Sequence, residues 1–243
     1  MSKLARLAAV AVTFLAGTVA AEDPQVAAER AELEHLRTDW AQLLVYRDEN
    51  RRLPPPSAAR PRVVFLGDSI TQSWNLAALG LDGLEVLNRG ISGQTTPQML
   101  VRLRQDVVEL KPAVVHILAG TNDFAGNTGP TTLEAIENNL SSMVEIAAAN
   151  HITVVLASVL PTVDYPWKRG QEPAAKIAAL NDWMRTYAKR HKLVYVDYYS
   201  ALVDSRGGCK AALADDGVHP NPAGYAVMSP IGRESIRRAL AAR

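Results

Sequence analysis

The sequence predicts one α/β domain built on about five parallel strands with helices on both faces. Five short, continuous apolar runs recur along the chain, and segments of helical periodicity with clear start signals stand between them. Continuous rather than alternating apolar runs belong to strands buried on both sides. Parallel strands joined through helices require right-handed crossovers. The length of 243 residues, with 48% hydrophobic positions, is ample for one large core.

The elements follow in order. Residues 1–21 read as a cleavable export signal: Lys3 and Arg6 precede an apolar run over residues 7–16, and small residues follow at 18–21. That run is shorter than the ~20 residues a bilayer span needs, and no Cys near the cleavage region offers a lipid attachment point. The expected destination is the periplasm or the exterior, without a stable membrane anchor. Residues 22–60 are expected to form one amphipathic helix, carrying Leu33, Leu36, Trp40, Leu43 and Leu44, then a stiff linker at Pro54, Pro55 and Pro56. The strands are expected at residues 63–66, 84–87, 113–119, 152–157 and 193–196. Thr96 and Pro97 open a helix striped by Leu100, Leu103, Val107 and Leu110. Thr131 and Glu134 have the spacing of a capping box ahead of Leu133, Ile136, Leu140, Met143 and Ala147. Pro173 opens a third helix, with Ile177, Leu180, Met184 and Tyr187 on one face. Residues 61–243 are thus expected to be one α/β domain.

Composition removes several function classes. The charge is +1 overall, and without residues 1–21 there are 24 basic and 25 acidic residues. A nucleic-acid binder would carry a basic stripe. The single cysteine, Cys209, rules out an intrachain disulfide framework and a cysteine-cluster zinc site. No glycine-rich phosphate loop and no His-Glu-x-x-His are present, so no cofactor or metal is expected. Gly-x-Ser-x-Gly, the nucleophile elbow of α/β-hydrolases, is absent as well.

In open parallel sheets, ligands sit outside the carboxyl ends of the strands. Four polar segments are expected there: Gly67-Asp68-Ser69, residues 88–95, Gly120-Thr121-Asn122-Asp123, and residues 215–220. Ser69 directly follows a buried strand, where a turn into a helix would expose its hydroxyl. A serine hydroxyl needs a neighbouring base to become a nucleophile. Of the five histidines, His35 and His191 fall on solvated helices, His151 opens a strand and His116 lies inside one. His219 is different, because Asp216 stands three residues before it and can fix its tautomer and stabilise the imidazolium. The same spacing also suits an Asx-type turn capping the last helix. Donors for an oxyanion are the backbone N–H groups of Ser69 and Gly93 and the side-chain amide of Asn122. Gly93 and Asn122 can equally be turn residues.

Together these blocks resemble the SGNH hydrolase superfamily, the GDSL esterases and lipases. The resemblance rests on Gly67-Asp68-Ser69-Ile70, on residues 88–95 with Gly93, on Gly120-Thr121-Asn122-Asp123, and on Asp216-x-x-His219; it covers about residues 61–240. It implies a three-layer, flavodoxin-like α/β/α sandwich with Ser69 as nucleophile, His219 as base and Asp216 as its partner. It also implies an oxyanion hole of Ser69, Gly93 and Asn122. Ile70 stands where the family name has Leu, an exchange of apolar residues that touches no chemistry. Residues 120–139 also resemble an acetylhydrolase-like bacterial branch, which fixes no substrate.

The reading is a secreted serine esterase for carboxylic esters, leaning toward short-chain or O-acetyl esters of small molecules or glycans. That lean rests on Trp74, Tyr165 and Trp167, whose rings could stack on sugars at a cleft edge or else cover the core. Lysophospholipase or thioesterase activity is an alternative, and a non-catalytic glycan-binding module on the same scaffold is another. A metal-dependent hydrolase using Asp68, Asp123, Asp216 and His219 is weaker, since one histidine and scattered aspartates make a poor ligand set. The sequence assigns no role to Cys209 and no oligomeric state.

Overall fold

The computed structural model describes residues 23–243, so the export-signal reading of residues 1–21 lies outside the described residues. Two units are distinguished, Met1–Thr38 and Asp39–Arg243. In the first, α1 spans Pro24–Thr38 and carries an Arg37–Glu34 ion pair of 3.0 Å one turn apart.

The second unit opens with α2 (Leu44–Arg52). The single amphipathic helix expected from Leu33 to Leu44 is therefore two helices, with Trp40 and Leu43 in the turn between them. The physical reason is local. The Asp39 carboxylate accepts the N–H groups of Leu43 and Leu44 at 2.8 and 2.9 Å, and Gln42 takes a positive φ of 57°. A carboxylate that satisfies the first amides of α2 makes a helix start there.

Five strands follow: β1 (Arg62–Gly67), β2 (Glu85–Gly90), β3 (Val114–Leu118), β4 (Thr153–Ala157) and β5 (Val194–Val196). They pair in parallel in the order β2-β1-β3-β4-β5, the order of a flavodoxin-like sheet. Every residue of β1 and β3 is buried, as their uninterrupted apolar runs require. Alternate residues divide between two cores. Val64 and Leu66 face one core; Val63 and Phe65 face the other.

On the first face lie α4 (Thr96–Asp106), α6 (Leu133–Ala149) and α7 (Ala174–His191), which contribute Met99, Leu103, Ile136, Leu140, Ile177 and Leu180. On the second lie the 3-10 turn Leu76–Leu79, α8 (Tyr199–Leu202) and α9 (Pro222–Ala241), with Leu79, Leu202, Met228 and Ile236. Two short helices, α3 (Ser69–Gln72) and α5 (Thr121–Ala125), stand directly after β1 and β3. The three-layer sandwich is thus the fold of this chain.

Two local expectations change. Thr132, not Thr131, caps α6, its hydroxyl accepting the Ala135 N–H at 3.1 Å. The reciprocal capping box stands instead at α4, where Thr95 and Gln98 serve each other's amide groups. His151 sits with φ of 59° in the turn before β4 rather than opening the strand.

Residues 39–52 belong to the sheet unit by a dense set of polar contacts. Gln98, Gln94 and Gln105 on and before α4 donate to the carbonyls of Trp40, Ala41 and Leu43 at 2.7, 3.0 and 2.7 Å. Asn50 donates to Asp106 at 2.7 Å and accepts from Arg89 at 2.9 Å. Tyr46 donates to the Gly90 carbonyl, and the Arg89 guanidinium lies over its ring.

Candidate active site

The four segments expected at one sheet edge do meet there, although two arrive differently. Asn88, Arg89 and Gly90 are the last residues of β2 rather than its following loop. The segment holding Asp216 and His219 comes after α8 and directly before α9, not directly after β5.

Ser69 is the first residue of α3, one residue past the Asp68 cap. So sharp a turn requires Gly67, because a Cβ there would lie 2.1 Å from Thr71 Oγ1 and 2.8 Å from the Leu118 carbonyl. The Ser69 N–H belongs to the first turn of a helix, where amides have no intrahelical acceptor. Asp68 is fully buried and caps the turn through Oδ1, which accepts the Ile70 N–H at 2.9 Å. Burial pushes its pKa up to about 7, and Oδ2 has no partner among the described residues.

The Ser69 hydroxyl lies 2.9 Å from His219 Nε2. Nδ1 of the same ring lies 2.6 Å from Asp216 Oδ2. The other Asp216 oxygen accepts the N–H groups of Val218 and His219 at 2.9 and 2.8 Å, so the carboxylate fixes both the loop and the ring. Burial alone would raise the Asp216 pKa, but the bonds from the His219 ring and from the two amides hold it below the usual carboxylate range. Asp216 is therefore ionised at neutral pH. An N–H held at Nδ1 leaves Nε2 as acceptor, the tautomer able to take a proton from Ser69.

Gly93 and Asn122 follow β2 and β3 in the chain. Gly93 has a φ of 76°, a conformation that favours glycine, in the turn between β2 and α4. Asn122 is 2% exposed on α5. Its amide donates one N–H to the Gln94 carbonyl at 3.1 Å, leaving the second for a ligand. Its Oδ1 accepts from Asn127 at 3.0 Å. Ser69, His219 and Asp216 thus form one hydrogen-bonded chain, and Asn127 joins Gly93 to Asn122.

The remaining candidates separate. Asp123 is held by Thr96, through N–H at 2.9 Å and hydroxyl at 2.6 Å, and anchors α5 to α4. Among the described residues, no three His, Cys, Asp or Glu side chains gather as a metal site. His116 is fully buried, stacked on Phe65 at 4.6 Å and bonded to Tyr198 at 2.9 Å; burial lowers its pKa to about 3, so it stays neutral. Trp74 and Tyr165 are buried and serve the core, so two of the three aromatics expected at the cleft are not free to stack on a ligand. Trp167 is 45% exposed, and its ring centroid lies 5.7 Å from that of His219.

Sequence reasoning missed the supports beneath these groups. Arg102 and Asp106, both fully buried on α4, pair at 3.1 Å. Arg102 also donates to the Gly67 carbonyl at 3.0 Å and to the Gln94 side chain. One guanidinium thereby ties the strand end before Ser69 to the residue whose carbonyl holds Asn122. A signal was present: Arg102 and Asp106 fall on the face of α4 that also carries Met99 and Leu103. Charges four apart on a buried stripe point to a paired interior site.

Residues 65–227 match the GDSL-like Lipase/Acylhydrolase family. The chain belongs to this family. Among solved structures, this GDSL hydrolase is similar to a GDSL-like lipase from Bacteroides thetaiotaomicron, at 40% identity and a TM-score of 0.79, over 83% of this chain and all of that one. It is similar to Esterase TesA of Pseudomonas aeruginosa, 29% identical in an alignment covering 67% of this chain and 81% of that protein. An acetylxylan esterase of Geobacillus stearothermophilus is 26% identical over 220 residues, 72% of this chain and 96% of that protein. This GDSL hydrolase is a carboxylic ester hydrolase. Among its described residues no helix is long and apolar enough to cross a membrane.

Proposed function

We propose that the protein is an exported serine esterase that cleaves short-chain or O-acetyl carboxylic esters through an acyl-enzyme. The observation that carries this reading is the chain from Ser69 through His219 to Asp216, at 2.9 and 2.6 Å. In the first half-reaction the Ser69 oxygen attacks the ester carbonyl while His219 Nε2 takes its proton. The tetrahedral oxyanion is held by the Ser69 and Gly93 N–H groups and by Asn122. His219 then gives its proton to the departing alcohol, leaving an acyl-serine. In the second half-reaction His219 takes a proton from water, which attacks the acyl carbonyl, and Ser69 leaves with the proton returned. Asp216 holds the ring and offsets the imidazolium charge in both.

The short-chain and O-acetyl preference is supported by the likeness to an acetylxylan esterase and by the exposed Trp167 ring at the site's edge. Export rests on Lys3, Arg6 and the apolar residues 7–16. One feature favours longer acyl chains, as in lysophospholipids or thioesters. A pocket of about 610 Å³ lies beside Pro220, next to His219, with walls from Trp74, Ala78, Pro222, Tyr225 and Pro230. The test is a chain-length series of p-nitrophenyl esters run beside acetylated xylan. The expected result is a maximal kcat/KM at acetyl to butyryl and release of acetate from the glycan. A maximum at twelve carbons or more would overturn the short-chain reading in favour of the pocket.

Asn122→Ala tests the oxyanion hole. The second Asn122 N–H contributes most when the carbonyl oxygen becomes an anion, so the loss falls on the transition state. The expected effect is a kcat lower by about 10²–10³ with little change in KM, the range for removing one such donor. A change confined to KM would make Asn122 a residue of ground-state binding.

A further inference from the structure

The Asn127 side chain touches both loops of the proposed oxyanion hole and the aromatic wall beside His219. It follows α5, in the turn closed by Gly126, and is solvent-exposed. Its Nδ2 donates to the Gly93 carbonyl at 3.0 Å and to Asn122 Oδ1 at 3.0 Å. Its Oδ1 accepts the Trp167 indole N–H at 3.3 Å. Two flanking bonds hold the same turn, Thr128 to Thr95 at 3.0 Å and Lys168 to the Gly126 carbonyl at 2.9 Å.

An indole nitrogen only donates, so the group facing Trp167 must be the Asn127 oxygen. That leaves the Asn127 nitrogen toward Gly93 and Asn122, with both of its hydrogens used. The atom of Asn122 facing Asn127 must then be its oxygen, which turns the Asn122 nitrogen toward Gln94 and the oxyanion. Each amide fixes the flip of the next.

We infer that Asn127 is a positioning residue, which transmits the orientation of Trp167 to the Asn122 amide and so aims an oxyanion donor. The inference rests on the proposed role of Asn122. Gln94 also restrains the Asn122 amide, through the bond at 3.1 Å, so losing Asn127 loosens the donor without removing it. Asn127→Ala is therefore expected to lower kcat on p-nitrophenyl acetate by about tenfold, less than deletion of a donor itself. KM should stay within about twofold, because the misaimed donor matters chiefly for the developing anion. Asn127→Asp keeps the shape and places oxygen where two N–H groups were, facing the Gly93 and Asn122 oxygens. Its loss should exceed that of the alanine variant, whereas a mere spacer would tolerate it.

The deciding measurement adds Asn127→Ala to Asn122→Ala. Residues that act through one another are non-additive, so no further loss of kcat is expected in the double variant. A full additional loss would overturn the relay while leaving the oxyanion role of Asn122 standing. So would a change in KM alone, or an unchanged kcat in Asn127→Ala. Wild-type activity in Asn122→Ala would overturn the oxyanion assignment and the relay together.

Discussion

Ser69→Ala is expected to lower kcat for ester hydrolysis by a factor on the order of 10⁴–10⁶, the scale on which a nucleophile and its base act as a unit. The protein should remain folded. The Ser69 hydroxyl bonds only to His219 among the described residues, so its removal leaves no buried group without a partner. His219→Ala should cost about as much, and combining the two should cost little more. Asp216→Asn is a sharper test of geometry. Its amide nitrogen, set against Nδ1, would place the ring hydrogen on Nε2, where it cannot take the serine proton. A loss of about 10³–10⁴ in kcat is expected from the wrong tautomer. The check is kcat/KM on p-nitrophenyl acetate for all the variants, with circular dichroism to verify folding. A Ser69→Ala enzyme within tenfold of wild type would show that another group attacks the ester.

Asp106→Ala is expected to destabilise the protein by about 3–5 kcal/mol, the usual consequence of removing one partner of a buried ion pair. Arg102 would keep its charge in a fully buried position, with the Gly67 carbonyl and Gln94 side chain as its remaining partners among the described residues. Burial already lowers the Arg102 pKa, with Asp106 opposing that shift. Asn50 would lose its shorter hydrogen bond, at 2.7 Å, and keep only the Gln105 carbonyl at 3.3 Å as acceptor among the described residues. Denaturant unfolding should show a lower midpoint with an unchanged slope. A shift under about 1 kcal/mol would mean that water replaces the lost carboxylate.

These two sets of residues differ in how well they can be read from the sequence. Ser69, Gly93, Asn122, Asp216 and His219 lie in short blocks, each with its chemistry in its own residue types. The five strands were equally legible, because burial on both faces forces continuous apolar runs such as Val63 to Leu66. The breaks were harder to see. Leu33 to Leu44 keeps helical spacing, yet the Asp39 carboxylate starts a new helix inside it. Trp74 and Tyr165 resemble Trp167 in the sequence, and only packing decides that two rings are buried and one exposed. Arg102, Gln94 and Asn127 each also reach a partner far along the chain (Gly67, Ala41 and Trp167, at separations of 35, 53 and 40), and no local pattern records such bonds.

The contacts of residues 39–52 bear on how members of this fold can diverge. This segment lies before the first strand and looks like a dispensable preface to the sheet. Its carbonyls nevertheless hold Gln94 and Gln98, at the mouth of the turn that carries Gly93. A swap of amino-terminal regions between related enzymes would therefore exchange part of the scaffold behind that turn, and a graft that preserves it must keep everything from Asp39 onward. A relative lacking such a segment has to brace the same turn with something else. The lineage of these enzymes should then show amino-terminal segments and the glutamines of this turn changing in concert.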